Sequence, residues 1–398
     1  MNLLLVIDDY LPNSTRVSAK MVHELAVELV KGGNSVTVLT PGEKHQSVKV
    51  VKDKLDGVTV WRFRCPPVKD VSRPRRLINE SLLSFRAWRA IKPELSTMEV
   101  DGIVYYSPTI FFGGLVSKLK RFFYCKAYLI LRDFFPQWAI DAKIISEYSP
   151  VTRYLKFFEA KNYKVADCVG VMSEKNIDVL HRHQPSINNV EVLRNWVSHN
   201  VFLPIESSWR QKLGLEEKVI YLYGGNIGKA QDMLNLVRLA KSLEFEERAH
   251  FVIVGQGESY QEVSDYINHN ELNNVTLMPS ISQNEFKVLL SEADVGLFSL
   301  SYAHTAHNFP GKILGYISNS LPILGSVNPG NDLMPLINSH GAGFVFENGD
   351  DEALARAALD LATCDDLRKT CGRRARQLLE DYFSVESAAR KVLAKLKC

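Results

Sequence analysis

Short runs of β-branched and other apolar residues alternate along this chain with longer segments whose apolar positions recur every three to four residues. That alternation is the mark of an α/β protein with parallel strands. In the first half, Leu3–Ile7, Ser35–Leu39, Val58–Phe63, Ile103–Tyr106, Ala127–Leu131, Cys168–Met172 and Glu191–Leu193 predict strands. Between the first two, Val22, Leu25, Ala26, Leu29 and Val30 share one helical face, and Gly32-Gly33 supplies the C-cap. The pattern lapses over residues 195–210, which read as a linker. A second series follows at Val219–Tyr223, His250–Val254, Val275–Met278, Val295–Phe298, Pro322–Leu324 and Gly343–Val345. Helices near 351–362 and 365–380 close it, and a last helix from Ser384 to Lys397 is placed to cross back to the first series. No internal repeat is present. The expected architecture is two Rossmann-like doubly wound domains, 1–200 and 206–383, facing across a cleft, with helix 384–398 returning to the N-terminal domain. Ligands of such sheets bind at the carboxyl ends of the strands.

Composition adds class and compartment. A chain of 398 residues, 46% hydrophobic and 23% charged, is an ordinary globular protein too long for one core. No apolar run reaches the ~20 residues of a membrane span. Asp8 and Asp9 follow Leu3–Ile7 at once, and no basic residue precedes it, which argues against a signal peptide. Cys65, Cys125, Cys168, Cys364, Cys371 and Cys398 form no CxxC pair, so reduced thiols in a cytosol are expected. The net charge of +3 hides an asymmetry: residues 1–200 hold 29 Lys and Arg against 20 Asp and Glu, and the remainder 19 against 25. The basic half therefore suits an anionic partner.

The strongest local motif is Gly224-Gly225-Asn226-Ile227-Gly228-Lys229, after one predicted strand and before a helix with Met233, Leu234, Val237 and Ala240 on its apolar face. Glycines let backbone amides approach an anion, the helix dipole favours negative charge, and Lys229 adds a cation. Three residues separate Gly224 from Gly228 and Ala230 stands where a Walker A loop has Ser or Thr, so this is not a P-loop. A tight strand–helix turn without ligand gives the same pattern. Gly255-Gln256-Gly257 follows the next strand, but Tyr260 takes the place of a third glycine, and a plain turn reads equally well. Asn308-Phe309-Pro310-Gly311-Lys312 opens a further helix, where a first-turn lysine opposes the dipole unless an anion compensates. Two such lysines suit a diphosphate held without metal. His304 and His307 lack a third ligand, so a loop closing over a ligand is preferred to a zinc site. There is no D-x-D, G-x-S-x-G or H-E-x-x-H motif; Asp350-Asp351 and Asp365-Asp366 look like helix N-caps.

In the first half, Arg132-Asp133 follows a strand. Asp133 is expected either to act as base or hydroxyl-orienting carboxylate, or to cap the next helix with Arg132 as its partner. Three stretches mix positive charge with bulky apolar residues: Arg73–Lys92 (with Phe85 and Trp88), Lys118–Lys126 and Arg153–Lys164. They fit an anionic membrane surface, and solvated faces over core aromatics are the alternative. No nucleic-acid motif is present.

Taken together, these residues resemble the GT-B glycosyltransferases of the retaining family 4 group. The likeness runs from Asp8-Asp9-Tyr10-Leu11-Pro12 through Gly33–Val38, Val192–Val197 and Tyr223–Gly228 to Phe251–Gly257, Asn274–Leu277, Ala293–Leu297 and Phe309–Tyr316. Arg132–Pro136 and Phe309–Lys312 look most like the branch that builds bacterial O-antigen and capsule, nearest the N-acetyl-L-fucosamine transferases. The resemblance implies a UDP-sugar held by the C-terminal domain through Gly225, Asn226, Gly228, Lys229, Gly255, Gln256, Gly257, Pro279, His307, Phe309, Pro310, Gly311 and Lys312. It implies a sugar on undecaprenyl diphosphate as acceptor, bound by the N-terminal domain on the cytoplasmic face of the inner membrane. Asp133, Arg132, Lys229 and Lys312 are the implied catalytic residues, with no cofactor and no metal. Retention then proceeds by front-face displacement, the leaving diphosphate accepting the acceptor's proton. Two departures stand out. The family's glycine-rich turn is Asn13-Ser14-Thr15-Arg16 here, and its E-x7-E glutamates fall on His307 and Gly315. A sugar-nucleotide 2-epimerase of the same fold and a non-catalytic membrane scaffold are the other classes compatible with these features.

Overall fold

The computed structural model describes residues 1–398 apart from 15, 108, 142, 199–207, 304–308 and 398, and the side chain of 141. The described chain divides into two compact units, Met1–Trp196 with Val385–Cys398, and Val197–Ser384.

The first unit holds an eight-stranded sheet: β1 (Asn2–Val6), β2 (Ser35–Pro41), β3 (Val50–Leu55), β4 (Val58–Phe63), β5 (Gly102–Ser107), β6 (Lys126–Leu131), β7 (Cys168–Val171) and β8 (Val190–Val192). Its order is β3-β4-β2-β1-β5-β6-β7-β8, parallel except for β3. The order reverses direction at β1, so the gap between β1 and β5 is the switch point where ligands of open sheets bind. The helix Val17–Lys31 forms where the heptad-like spacing of Val22, Leu25, Ala26 and Leu29 buries one face. It stops at Gly33, in the left-handed region at φ 79°, with the amides of Gly33 and Asn34 donating to Val30 and Leu29. One sheet face packs Leu4, Val6, Ile103, Tyr105, Leu129 and Leu131 under helices Leu83–Ile91 and Gly113–Phe123. The other packs Leu3, Leu5, Val104 and Ile130 under Val17–Lys31 and the last helix, Val385–Lys397.

The second unit holds six parallel strands: β9 (Val219–Asn226), β10 (Ala249–Gln256), β11 (Val275–Met278), β12 (Val295–Ser299), β13 (Ile323–Val327) and β14 (Gly343–Glu347). Their order is β11-β10-β9-β12-β13-β14, with the switch point between β9 and β12. Both faces are covered by helices, as near-continuous apolar strands require. Each strand predicted in this half is present.

The structure differs from the sequence reading at four elements. β3 was not anticipated, because an edge strand reading Val-Val-Lys-Asp-Lys-Leu lacks apolar alternation. Lys229 does not open an α-helix: Lys229–Gln231 is a single 3-10 turn, and the helix begins at Met233. The side chain of Asp350 does cap its helix, accepting from the Ala353 amide, but Asp365 lies inside the first turn behind Cys364 and pairs with Arg248 and Arg368. Trp88 is half-buried against the core with the Lys118 ammonium 5.2 Å from its ring centre, not at the surface.

Candidate functional site

At the carboxyl ends of β9 and β10, two glycine loops lock together. A Cβ on Gly255 would stand 1.8 Å from the Gly225 carbonyl oxygen, and one on Gly257 2.2 Å from that of Ile227. Ile227 N–H donates to the Gln256 carbonyl and Ser259 N–H to the Ile227 carbonyl. These glycines are thus required by backbone approach, and Gly225 by its φ of 128°. Gly224 makes room for the Phe286 ring. The side chain of Asn226 donates to Gln231. Gly225, Asn226, Gln256 and Gly257 remain exposed, as does Pro279 at the end of β11.

Lys312 is the first residue of the helix Lys312–Ser318 and reaches back over this floor. Its ammonium lies 3.5 Å from the centre of the Tyr223 ring, and its terminal carbon and nitrogen flank Gly225. No carboxylate pairs with it among the described residues, and burial pushes its ammonium down to about 7. A desolvated cation held only by an aromatic face is a ready anion receptor. Lys229 is placed differently: it is exposed, and its backbone N–H donates to the Glu258 carboxylate at 3.3 Å. Phe309 packs on Phe383, ring centres 5.8 Å apart, so its ring serves the core. Gly311 is exposed beside half-buried Pro310, and His304, His307 and Asn308 lie outside the described residues. Beneath the floor, Asp232 takes a left-handed φ of 40° and is held by Asn348, while Ser299 bonds the Asp232 carbonyl and Asn235. Glu258 and Asn348 lie in no motif, and Tyr223 entered the sequence reading only as the end of a strand and the start of the Tyr223–Gly228 stretch, with no role for its ring.

In the first unit, Asp133 stands two residues beyond β6 with an exposed side chain, yet the surrounding protein raises its carboxyl, with Lys69 and Arg132 opposing. It caps no helix; the Trp138 amide donates to the Phe134 carbonyl instead. Arg132 is a correction to the sequence reading. Its buried guanidinium donates to the carbonyls of Leu193 (2.6 Å) and Arg194 (3.3 Å) and lies over Trp196, so it braces the chain and is not free to meet a substrate. The turn after β1, which lacks glycine, is tied down by side chains. Tyr10 bonds His23 (2.8 Å), which bonds Asp56 (2.9 Å); Arg62 holds the Leu11 carbonyl, and Ser14 donates to Asp9. Asp8 is buried and paired with Lys69 at 2.6 Å.

Among the described residues no group of three His, Cys, Asp or Glu is placed to hold a metal ion, no cysteines are paired, and no helix is long and apolar enough to cross a membrane.

Comparison with known proteins adds to this geometry. Residues 206–378 match the family model of glycosyl transferases group 1. The chain is 22% identical over 268 residues to a protein of Pseudomonas aeruginosa named as the glycosyltransferase WbjE, covering 66% of each chain. It is 24% identical over 323 residues to one of Escherichia coli named as the colanic acid biosynthesis glycosyl transferase WcaI, covering 75% of this chain and 76% of that one. Among solved structures, WaaG, a glycosyltransferase involved in lipopolysaccharide biosynthesis, matches at TM-score 0.60 and 16% identity over 98% of this chain and 99% of its own. Anabaena HepE in complex with UDP-glucose matches at TM-score 0.60 and 14% identity, over 100% and 99%. The two Rossmann-like units have the GT-B fold of these solved structures.

Proposed function

We propose that this protein is a glycosyltransferase of bacterial surface-polysaccharide synthesis, moving an N-acetyl-L-fucosamine-type sugar from its UDP donor to a sugar on undecaprenyl diphosphate. The observation that carries the reading is Lys312, a half-buried cation with no carboxylate partner among the described residues, poised over the glycine floor at the switch point of the second unit's sheet. The name of WbjE favours glycosyl transfer, those of WcaI and WaaG favour polysaccharide synthesis, and the UDP-glucose complex of HepE favours a UDP-sugar.

In this reading the donor diphosphate lies against Gly225 and Lys312, with Lys229 able to swing in from the surface. The anomeric carbon–oxygen bond to the diphosphate breaks as the acceptor oxygen bonds the same face of the sugar. The acceptor's proton passes to the departing phosphate oxygen, so configuration is retained. Lys312 stabilises the charge that develops on that oxygen, where a preorganised donor counts most. With lysines rather than carboxylates on the phosphates, transfer is expected to persist in excess EDTA.

The lipid side rests on the first unit. Ile78, Phe85, Trp138, Tyr148, Tyr154 and Phe157 are exposed, on segments that a small cluster around Phe111, Leu155 and Leu77 holds together. Arg73, Arg75, Arg89 and Arg153 are exposed on the same segments. A basic, aromatic face of this kind suits the inner, anionic leaflet of a bacterial membrane, and the reading places the protein there as a peripheral protein.

The test is incubation with UDP-N-acetyl-L-fucosamine with and without a lipid-linked sugar acceptor, following product by mass spectrometry. Acceptor-dependent release of UDP supports the proposal. Conversion of the donor without acceptor, or no turnover with any UDP-sugar, overturns it.

A further inference from the structure

Two of the three basic stretches, Lys118–Lys126 and Arg153–Lys164, meet on one side of the first unit. The helices Gly113–Phe123 and Pro150–Lys164 touch at Gly113, where a Cβ would stand 2.8 Å from the Asn162 Cα and 3.0 Å from the Lys161 carbonyl oxygen. Near the other end of the first helix, Lys120 donates to the Val165 carbonyl at 2.9 Å and pairs with Asp167 at 2.6 Å. An open groove of about 370 Å³ lies along these contacts, lined by Gly113, Ser117, Lys120 and Arg121 from one helix and by Lys161 and Lys164 from the other. The four residues of the first helix recur at helical spacing on one face, and so do Phe157, Lys161 and Lys164 on the second.

The charges of this groove do not cancel. The helix Gly113–Phe123 has no carboxylate, and Pro150–Lys164 has one, Glu159, which is buried and accepts from the Tyr163 hydroxyl. Asp167 is taken up by Lys120 and by the Ala127 amide. Lys161 and Lys164 are exposed, and no carboxylate among the described residues pairs with either. Arg121, exposed as well, gives its Nε–H to the Ser117 carbonyl at 3.3 Å. Three unneutralised cations therefore share one groove. A helix dipole explains why cations gather in a last turn, but not why those of two helices converge. Beside them the rings of Phe122, next to Arg121, and of Phe157, one turn before Lys161, are exposed. Both last turns lead into β6 and β7 at the amino ends of those strands, whereas ligands of such sheets bind at the carboxyl ends. The groove thus stands apart from the end of the sheet where sugar transfer is expected.

We propose that this groove is a binding site for the phosphate headgroup of an anionic membrane lipid, with Arg121, Lys161 and Lys164 on the phosphate and Phe122 and Phe157 at the boundary of the acyl chains. A guanidinium offers paired N–H donors to phosphate oxygens, and the two ammonium groups add compact charge. Aromatic rings beside such cations suit the depth of the headgroups. The inference rests on the peripheral-membrane part of the proposed function and deepens it, giving that surface a saturable site where a charged face alone would hold lipids without one.

Flotation of the full-length protein on phosphatidylglycerol vesicles tests it, together with calorimetry of monomeric dihexanoylphosphatidylglycerol and of glycerol phosphate. A cation near an anionic surface is worth about a factor of five in binding, so changing Arg121, Lys161 and Lys164 together to Ala should weaken vesicle binding about a hundredfold. Removing the same charge through Lys20→Ala, Lys31→Ala and Lys54→Ala, on the helix that covers the opposite sheet face and on the edge strand β3, should weaken it by less than about threefold. The short-chain lipid should bind the wild type saturably and about tenfold more tightly than glycerol phosphate, because only the lipid has chains for the rings to cover. It should not bind the groove variant. Vesicle binding of the groove variant as strong as that of the control variant, or no saturable binding of the short-chain lipid, overturns the site. Equal affinity for glycerol phosphate makes it a site for soluble phosphates and overturns the lipid assignment. A wild type that ignores phosphatidylglycerol vesicles overturns the membrane reading itself, so the two failures are distinct. Lys164→Glu, a single change at an exposed position, should weaken lipid binding by about fivefold or more and keeps the test valid if the triple variant does not fold.

Discussion

Lys312 shows how much one side chain carries. In the folded protein its ammonium titrates near 7, well below the ordinary lysine value of 10.5, because burial penalises the charge. The folded value lies below the unfolded one. Charging therefore opposes folding, with a cost that grows as pH falls from above 10 towards 7 and is complete below it. A bound diphosphate reverses the balance by supplying the missing anion. UDP affinity is accordingly expected to fall as pH rises through 7, and binding at pH 7 should take up about half a proton. Calorimetry in two buffers of different ionisation enthalpy measures that uptake. Lys312→Met should abolish it and weaken UDP binding by roughly 1.5–3 kcal/mol, as for a lost charged hydrogen bond. UDP binding without proton uptake in the wild type would place the diphosphate elsewhere. Lys229, exposed and with its amide turned to Glu258, is expected to cost less when changed to Ala.

Between elements, the two glycine loops behave as one part. A methyl at Gly255 meets the Gly225 carbonyl at 1.8 Å, backbone against backbone, so β9 and β10 must move apart to accept it. Gly255→Ala should therefore lower stability by about 1–3 kcal/mol, the usual range for overpacking, and weaken UDP binding with it. Gly311 offers the contrast: no atom of the described residues lies within 4 Å of its added Cβ, and its φ is −58°. Gly311→Ala should leave the unfolding free energy within ~0.5 kcal/mol of wild type. Urea unfolding of both variants, at unchanged slope, decides whether the loops interlock as described. The turn after β1 shows another solution to the same need. Without glycine to relax its backbone, Tyr10, His23, Asp56 and Arg62 hold it from the side.

For the molecule, the uneven charge has a location. Its basic excess lies in the first unit, where exposed Phe85, Tyr154 and Phe157 accompany arginines on the helices Arg73–Ser81, Leu83–Ile91 and Pro150–Lys164. Each arginine near an anionic surface is worth about 1 kcal/mol. Flotation with anionic liposomes at low salt is expected, with loss in 1 M salt, where screening shortens to ~3 Å. Changing Phe85, Tyr154 and Phe157 to Ser should reduce flotation, whereas Trp88→Phe should not, because Trp88 faces the core. Equal flotation on neutral liposomes at high salt would remove the electrostatic part of this account.

The positions of the strands other than β3, the helix ends at Gly33 and Asp350, and the α/β class were legible in the chain because each follows from spacing within a few residues: apolar runs, a left-handed glycine, a capping carboxylate. β3 was not, since its strand character comes from pairing with β4 and not from its own residues. The glycine loops, too, were visible as motifs. That Gly255 and Gly257 serve close backbone approach, and that Lys312 rests on the Tyr223 ring, depends on partners about 30 and 90 residues away. Arg132 shows the same limit from the other side: beside Asp133 it looked chemical, and contact with Leu193 and Arg194 made it a brace. Asp8 likewise showed no partner in the sequence, and only the fold brings Lys69 to it. Local pattern determines which elements form, because backbone preference and one-sided burial act over a single turn or strand. Which polar group is spent on the fold and which is left for a ligand is a matter of long-range neighbours, and burial and pairing exist only once the chain has closed on itself.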